Sequence, residues 1–221
     1  MRIAVLASGR GSNLRALLDA EQAGQLGGAC VVAVFSDRAA SGALAIARAS
    51  GRDAVALAPA DFASREAFDA ALFDHVLASS PGLIVCAGYM RVLSAQAVGR
   101  AHGRMVNIHP SLLPLYPGLR PHARALAAGD TEHGASVHRV VAEVDAGAVL
   151  AQARVQVLPG DDVATLEARV LAREHPLLVA TVRAIAEGQL TLGSRALAWQ
   201  GNPLHAPLSL SGDNRLEEPA A

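Results

Sequence analysis

The chain has 221 residues, 52% of them hydrophobic but only 3% aromatic, with 19 basic against 20 acidic side chains and a formal net charge of -1. That length can bury a sizeable core without disulfide or metal staples, and so even a charge balance argues against a basic surface built for nucleic acid. Cys30 and Cys86 lie in separate apolar runs without metal-type spacing, which reads as free buried thiols in a reducing compartment. The first apolar run is too short for a signal peptide and none approaches the ~20 residues of a membrane span, so the expectation is a soluble, cytoplasmic protein.

Residues 3–7 read as a strand buried on both faces, followed by a Gly/Ser loop and then Leu14, Leu17 and Leu18 at helical spacing. Residues 31–35 give a second strand, 43–49 a short helix and 54–57 a third strand. Phe68, Leu72 and Val76 mark one face of a further helix, and residues 83–87 and 105–108 are strands. Continuous apolar strands alternating with helices predict an α/β fold, a Rossmann-like, mostly parallel sheet with helices on both faces.

The second half differs. Val149, Ala151, Ala153, Val155 and Val157 alternate with polar residues, and residues 135–141 read as a strand before them. The connection through 143–147 is too short for a parallel crossover and predicts an antiparallel hairpin. A helix over 163–187 is expected to bend or split near Pro176. Residues 202–221, rich in Pro, Gly, Ser and Glu and without periodicity, read as a disordered tail.

The loop Ser8-Gly9-Arg10-Gly11-Ser12-Asn13 joins the first strand to the first helix, at the sheet edge where such folds bind ligands. Glycines allow close backbone approach to an anion, and helix-start amides supply donors, so a phosphate is one reading. A tight turn capped by Ser12 or Asn13 is the other. Leu14 stands where a dinucleotide fingerprint needs a glycine, and the loop lacks the lysine of a Walker motif.

The most specific stretch is Met105-Val-Asn-Ile-His-Pro-Ser-Leu-Leu-Pro114. Asn107 and His109 are two apart at the end of a strand, so their side chains share a side. An amide for a developing oxyanion and an imidazole that handles a proton suit acyl transfer. Taken singly, each also has an ordinary structural reading. The gaps between His102 and His109 and between His133 and His138 fit no zinc spacing, so no metal is expected.

The chain closely resembles the phosphoribosylglycinamide formyltransferase branch of the folate-dependent formyltransferases, from Arg2 to about Leu192. The resemblance is carried by Gly11-Ser12-Asn13, Ser64-Arg65-Glu66, Gly88-Tyr89-Met90-Arg91-Val92-Leu93, Asn107-Ile108-His109-Pro110-Ser111-Leu112-Leu113-Pro114 and Tyr116-Pro117-Gly118-Leu119. It continues through Gly134-Ala135-Ser136-Val137-His138, Asp145-Ala146-Gly147 and Glu174-His175. It implies formyl transfer from 10-formyltetrahydrofolate, as co-substrate, to the amine of glycinamide ribonucleotide in purine synthesis. It implies Asn107, His109 and Asp145 as the catalytic trio, with Asp145 favouring the His109 imidazolium. Gly11, Ser12 and Asn13 would hold the ribonucleotide phosphate and Glu174 its ribose. Arg65, Met90, Arg91, Val92, Leu93 and Asn107 would line the folate site.

One formyltransferase domain over 1–192 is expected, with a phosphate-binding half at 1–104 and a catalytic and folate half at 105–192, acting as monomer or homodimer with small-molecule partners only, neither nucleic acid nor membrane. Arg120-Pro121-His122 departs from the His-Thr-His often found in the family, and the proline predicts an extended Arg120. Pro176 also falls earlier than the family's usual proline. The rivals are formyltetrahydrofolate hydrolase, disfavoured because the catalytic pattern starts at Arg2 with no regulatory domain before it, and the initiator-tRNA formyltransferase, disfavoured because it carries an added basic domain. A non-catalytic nucleotide-binding module is the alternative of another class.

Overall fold

The computed structural model describes residues 1–193 and 196–218. Strands β1 (Arg2–Leu6), β2 (Cys30–Ser36), β3 (Asp53–Ala56), β4 (Leu83–Cys86) and β5 (Met105–His109) alternate with helices α1 (Ser12–Gln22), α2 (Gly42–Ala49), α3 (Arg65–Ala78) and α4 (Ala95–Arg100). Helix α5 (Pro121–Ala128) leads into β6 (Glu132–Arg139) and β7 (Val149–Gln156), and α6 (Val163–Ala186) follows. The main sheet then gains β11 (Leu208–Leu210) and β12 (Leu216–Glu217), in the order β12-β11-β7-β6-β5-β4-β1-β2-β3. Strands β8 (Leu190–Leu192), β9 (Leu197–Trp199) and β10 (Asn202–Pro203) form a small antiparallel sheet of their own.

The five N-terminal strands are parallel, and β5–β6 and β6–β7 are antiparallel, as the patterning predicts. Period-two alternation along β1 sends Ile3 and Val5 into one core and Ala4 and Leu6 into the other. The first core takes Leu14, Leu17 and Leu18 of α1 and Leu177 and Leu178 of α6; the second takes Phe68, Leu72 and Val76 of α3. Each fully buried Leu or Phe contributes roughly 2 kcal/mol, which fixes the helices on both faces of the sheet.

Strand order reverses between β1 and β4, so the turns after these two strands part and leave a crevice at their carboxyl ends. The turn after β1 is the glycine loop; the turn after β4 carries Gly88 to Leu93. Strand β5 ends beside them with His109.

Three expectations are corrected. Helix α6 continues through Pro176 without splitting; Leu177 and Leu178 beside it are fully buried, and their packing outweighs the missing backbone bond. The expected disordered tail is ordered over its described residues: β11 pairs in parallel with β7, Leu208 is fully buried and Leu210 nearly so. Arg173 of α6 fastens it by donating to the Leu210 and Ser211 carbonyls at 3.1 and 2.7 Å. Residues 219–221 of that expectation lie outside the described residues. Arg120 is left-handed rather than extended, at φ 54 and ψ 47, where it starts α5 with Pro121 in the first helical position, which needs no N–H partner.

Candidate active site

Helices α2, α3, α4 and α6 start on side-chain caps from Ser41, Ser64, Ser94 and Asp162. Helix α1 does not. Its N-cap is Gly11, left-handed at φ 82, with no side-chain hydrogen bond, so neither Ser12 nor Asn13 caps the turn and its first amides stay open to a ligand. They face a cavity of about 190 Å³ lined by Ser8 to Asn13, Arg38, Ala87, Gly88 and Met90. The side chain of Asn13 turns instead to Glu174, donating from Nδ2 to Oε1 at 2.5 Å. Burial raises the Glu174 carboxyl above the ordinary range, with the Asn13 amide pulling the other way.

A larger cavity of about 540 Å³ shares Arg10, Ser12, Gly88 and Met90 with the first. Its walls include Met90, Arg91, Val92 and Leu93 from the turn after β4, Asn107 and His109 from β5, His138 from β6, Asp145 from the β6–β7 connection and Glu174 from α6. Met90 and Val92 are exposed along it, so an apolar wall meets a polar end. Arg65 is not brought there: it opens α3 on the surface and pairs at 3.4 Å with its neighbour Glu66, and it lines neither cavity.

Asp145 is the hub of the polar end. Its Oδ2 accepts the Gly118 N–H at 2.8 Å and lies 3.4 Å from His109 Nδ1. Its Oδ1 lies 3.3 Å from His138 Nε2 and 3.4 Å from Asn107 Nδ2. Burial alone would raise this carboxyl, but the His138 and Gly118 hydrogen bonds and the charge of His109 hold it down at about 2. It is therefore an anion throughout the working range.

His109 has acceptors on both ring nitrogens, Asp145 at Nδ1 and the Tyr116 carbonyl 3.0 Å from Nε2. Burial nevertheless outweighs both and lowers its pKa. The Asp145 charge does favour the imidazolium, as the resemblance implies, but desolvation penalises the cation more than one carboxylate favours it. The two acceptors are in place for the moment the ring gains a proton.

His138 is the residue whose place in the site sequence reasoning misses: it is weighed for metal spacing and falls within a matching motif, without a role. Its Nδ1 meets the Arg139 carbonyl at 3.0 Å, and its Nε2 lies 3.0 Å from Asn107 Nδ2. The register pairs Asn107 directly with His138 across β5 and β6. Pairing the predicted strands would have exposed that neighbour, and a shift in the β6–β7 register beside Val137 and His138 marks the place structurally. Among the described residues no cluster of three or more His, Cys, Asp or Glu is placed to share a metal ion, and no helix is long and apolar enough to cross a membrane.

An open helix start at a sheet switch point, together with an amide, an imidazole and a carboxylate at the end of the adjoining strand, defines a group-transfer enzyme of the α/β class. Residues 1–182 match the Formyl transferase family, and the chain belongs to it. The phosphoribosylglycinamide formyltransferase of Escherichia coli (strain K12) is 42% identical over 213 residues, 96% of this chain and 100% of that one. That of Mycobacterium tuberculosis (strain H37Rv) is 45% identical over 88% of this chain and 89% of its own. Among solved structures, phosphoribosylglycinamide formyltransferase from Coxiella burnetii superposes with a TM-score of 0.88 at 41% identity, covering 92% of this chain and 95% of that one. Glycinamide ribonucleotide transformylase 1 from Symbiobacterium toebii gives 0.86 at 43%, covering 90% and 93%.

Proposed function

We propose that this chain transfers the formyl group of 10-formyltetrahydrofolate to the amine of 5'-phosphoribosylglycinamide, giving formylglycinamide ribonucleotide and tetrahydrofolate, as a cytoplasmic step of purine synthesis. The observation that carries the reading is the meeting of Asn107, His109 and Asp145 at one end of a cavity that adjoins the uncapped start of α1. The similarity of whole chains named for this activity supports it.

In this reading the amine attacks the formyl carbon and the carbonyl oxygen becomes an oxyanion. Asn107 Nδ2, already aimed at the polar end, donates to that oxygen. The His109 nitrogen that faces the Tyr116 carbonyl turns to the substrate, takes the proton that the attacking nitrogen sheds, and leaves an imidazolium paired with Asp145. It then delivers the proton to the folate nitrogen as the carbon–nitrogen bond breaks. His138 keeps the Asn107 amide in place.

The glycine loop and Glu174 serve the ribonucleotide, phosphate on the α1 amides and ribose at the carboxyl. The Met90 to Leu93 wall takes the folate ring system. This divides one domain over 1–192 into a phosphate half at 1–104 and a catalytic and folate half at 105–192. Arg65 lines neither cavity.

The test of the whole reading is a formyl-transfer assay with glycinamide ribonucleotide against formate release without it. Transfer far exceeding release is expected; release indifferent to the acceptor favours the hydrolase, and no turnover with ribonucleotide binding alone favours the non-catalytic module. A second expectation concerns Gly11→Val. A Cβ at Gly11 would sit 2.7 Å from Ala43 Cα, on a backbone with φ +82, so the side chain both blocks the anion and strains the turn. The ribonucleotide KM is expected to rise at least tenfold, with kcat changed less and Tm lowered. Unchanged KM in a folded variant would put the phosphate elsewhere.

A further inference from the structure

Ser8 leads the glycine loop and is 2% exposed. Its N–H donates to the Gly88 carbonyl at 3.1 Å, and its Oγ accepts the Met90 N–H at 3.0 Å. One side chain therefore ties the turn after β1 to the turn after β4, across the point where strand order reverses. A hydroxyl has one proton to donate as well as lone pairs to offer. Among the described residues nothing accepts the Ser8 hydroxyl proton, although Ser8 lines the smaller cavity beside the α1 amides. Leaving a buried donor unused is costly, and an anion in that cavity would use it.

The far end of the same segment is held differently. The Ser94 N–H donates to Asp69 Oδ2 at 2.6 Å, and Asp69 is fully buried on α3. That anchor lies outside both cavities and has no means of sensing a ligand. Only the Ser8 end of the Met90 to Leu93 wall touches the other cavity.

We propose that the Ser8 hydroxyl couples the two substrate sites, donating to the ribonucleotide phosphate while accepting the Met90 N–H. The proposal rests on the reading of the two cavities given above. A hydroxyl that donates to an anion becomes a stronger acceptor, by on the order of 10–30% per bond in condensed phases. Filling the phosphate site therefore tightens the Met90 bond and steadies the folate wall. Folate binding, by fixing Met90, in turn holds the hydroxyl proton toward the phosphate. Linkage requires the two effects to be equal. Ser8 is a positioning residue here, since it touches none of the reacting atoms.

Calorimetry of glycinamide ribonucleotide binding, with and without tetrahydrofolate, tests this, because tetrahydrofolate carries no formyl group to transfer. In the unaltered protein each ligand is expected to tighten the other by about fivefold or more. In Ser8→Ala the ribonucleotide affinity is expected to fall roughly tenfold and the mutual tightening to drop below about twofold. A folded Ser8→Ala protein with its coupling intact, or an unaltered protein that binds both ligands independently, overturns the proposal. Failure of the unaltered protein to bind either ligand overturns the functional reading itself, and the proposal with it. Should Ser8→Ala not fold, the Met90 amide proton of the unaltered protein decides by NMR. Saturation with ribonucleotide alone is expected to move it downfield, and an unmoved resonance overturns the coupling.

Discussion

Asp145→Asn is expected to lower kcat roughly ten-thousandfold, the scale seen when the carboxylate partner of a catalytic imidazole becomes an amide, with little loss of fold. The carboxylate accepts the Gly118 N–H at Oδ2, beside His109, and lies against the Asn107 amide and the His138 ring at Oδ1. An amide has one acceptor and one donating nitrogen, so either orientation turns N–H groups against N–H groups. If its oxygen keeps the Gly118 bond, its nitrogen confronts the Asn107 amide, and the oxyanion donor loses its alignment. If it turns round, the Gly118 turn and His109 lose their acceptor.

The charge matters separately. Asp145 is the charge that raises the His109 pKa against burial and against neighbouring His138 and Arg124. Removing it lowers that pKa further, so an imidazolium formed during turnover is less stable. The acid limb of kcat/KM, which reports His109 in the free enzyme, is expected to lie below the ordinary histidine value in the unaltered protein and to move to still lower pH in Asp145→Asn. Circular dichroism should show the same fold. A variant within tenfold of full activity, or one whose acid limb stays in place, would remove Asp145 from the mechanism as described.

What the sequence made legible follows from the length of each signal. Strands such as β1 and β5 are runs of buried apolar residues, and α1 and α3 carry several core positions at helical spacing. These patterns are long enough to override local noise. The trio was legible because the spacing of Asn107 and His109 fixes a shared side on a strand, and because the motif around them is specific to one family. Asp145 needed the resemblance, since Asp-Ala-Gly alone is ordinary turn chemistry.

The misses have physical causes too. In β11 the alternation of Leu208, Ser209 and Leu210 spans only three residues, and the surrounding Pro, Gly and Ser hide it. The clamp that holds it comes from Arg173, remote in sequence. His138 acts by lying opposite Asn107, a relation created by strand register. The lowered pKa of His109 depends on burial, which no count of nearby charges in a sequence reveals.

Gly134→Ala is expected to destabilise the protein by on the order of 4 kcal/mol or more, the range reserved for breaches of a buried backbone contact. Gly134 lies in β6 opposite Arg154 of β7, and a Cβ there would stand 1.9 Å from the Ala153 carbonyl oxygen and 2.8 Å from Leu112 Cδ2. No rotamer relieves a clash with backbone, so β7 must move away from β6 or the ladder must slip. A glycine within a strand often marks such an approach. The movement would reach the site, because Ser136, two residues on, donates to the Ser111 carbonyl at 2.7 Å and accepts the Leu113 N–H at 3.0 Å. Those bonds, with Gln152 Nε2 on the Leu113 carbonyl at 2.8 Å, hold the turn that follows His109. Activity should therefore fall together with stability, even at temperatures where the variant remains folded. Urea unfolding midpoints and turnover measured on one preparation check both parts. A loss below 1 kcal/mol would mean that β6 and β7 do not approach as closely as described, and that the turn behind His109 is held by something other than this strand pair.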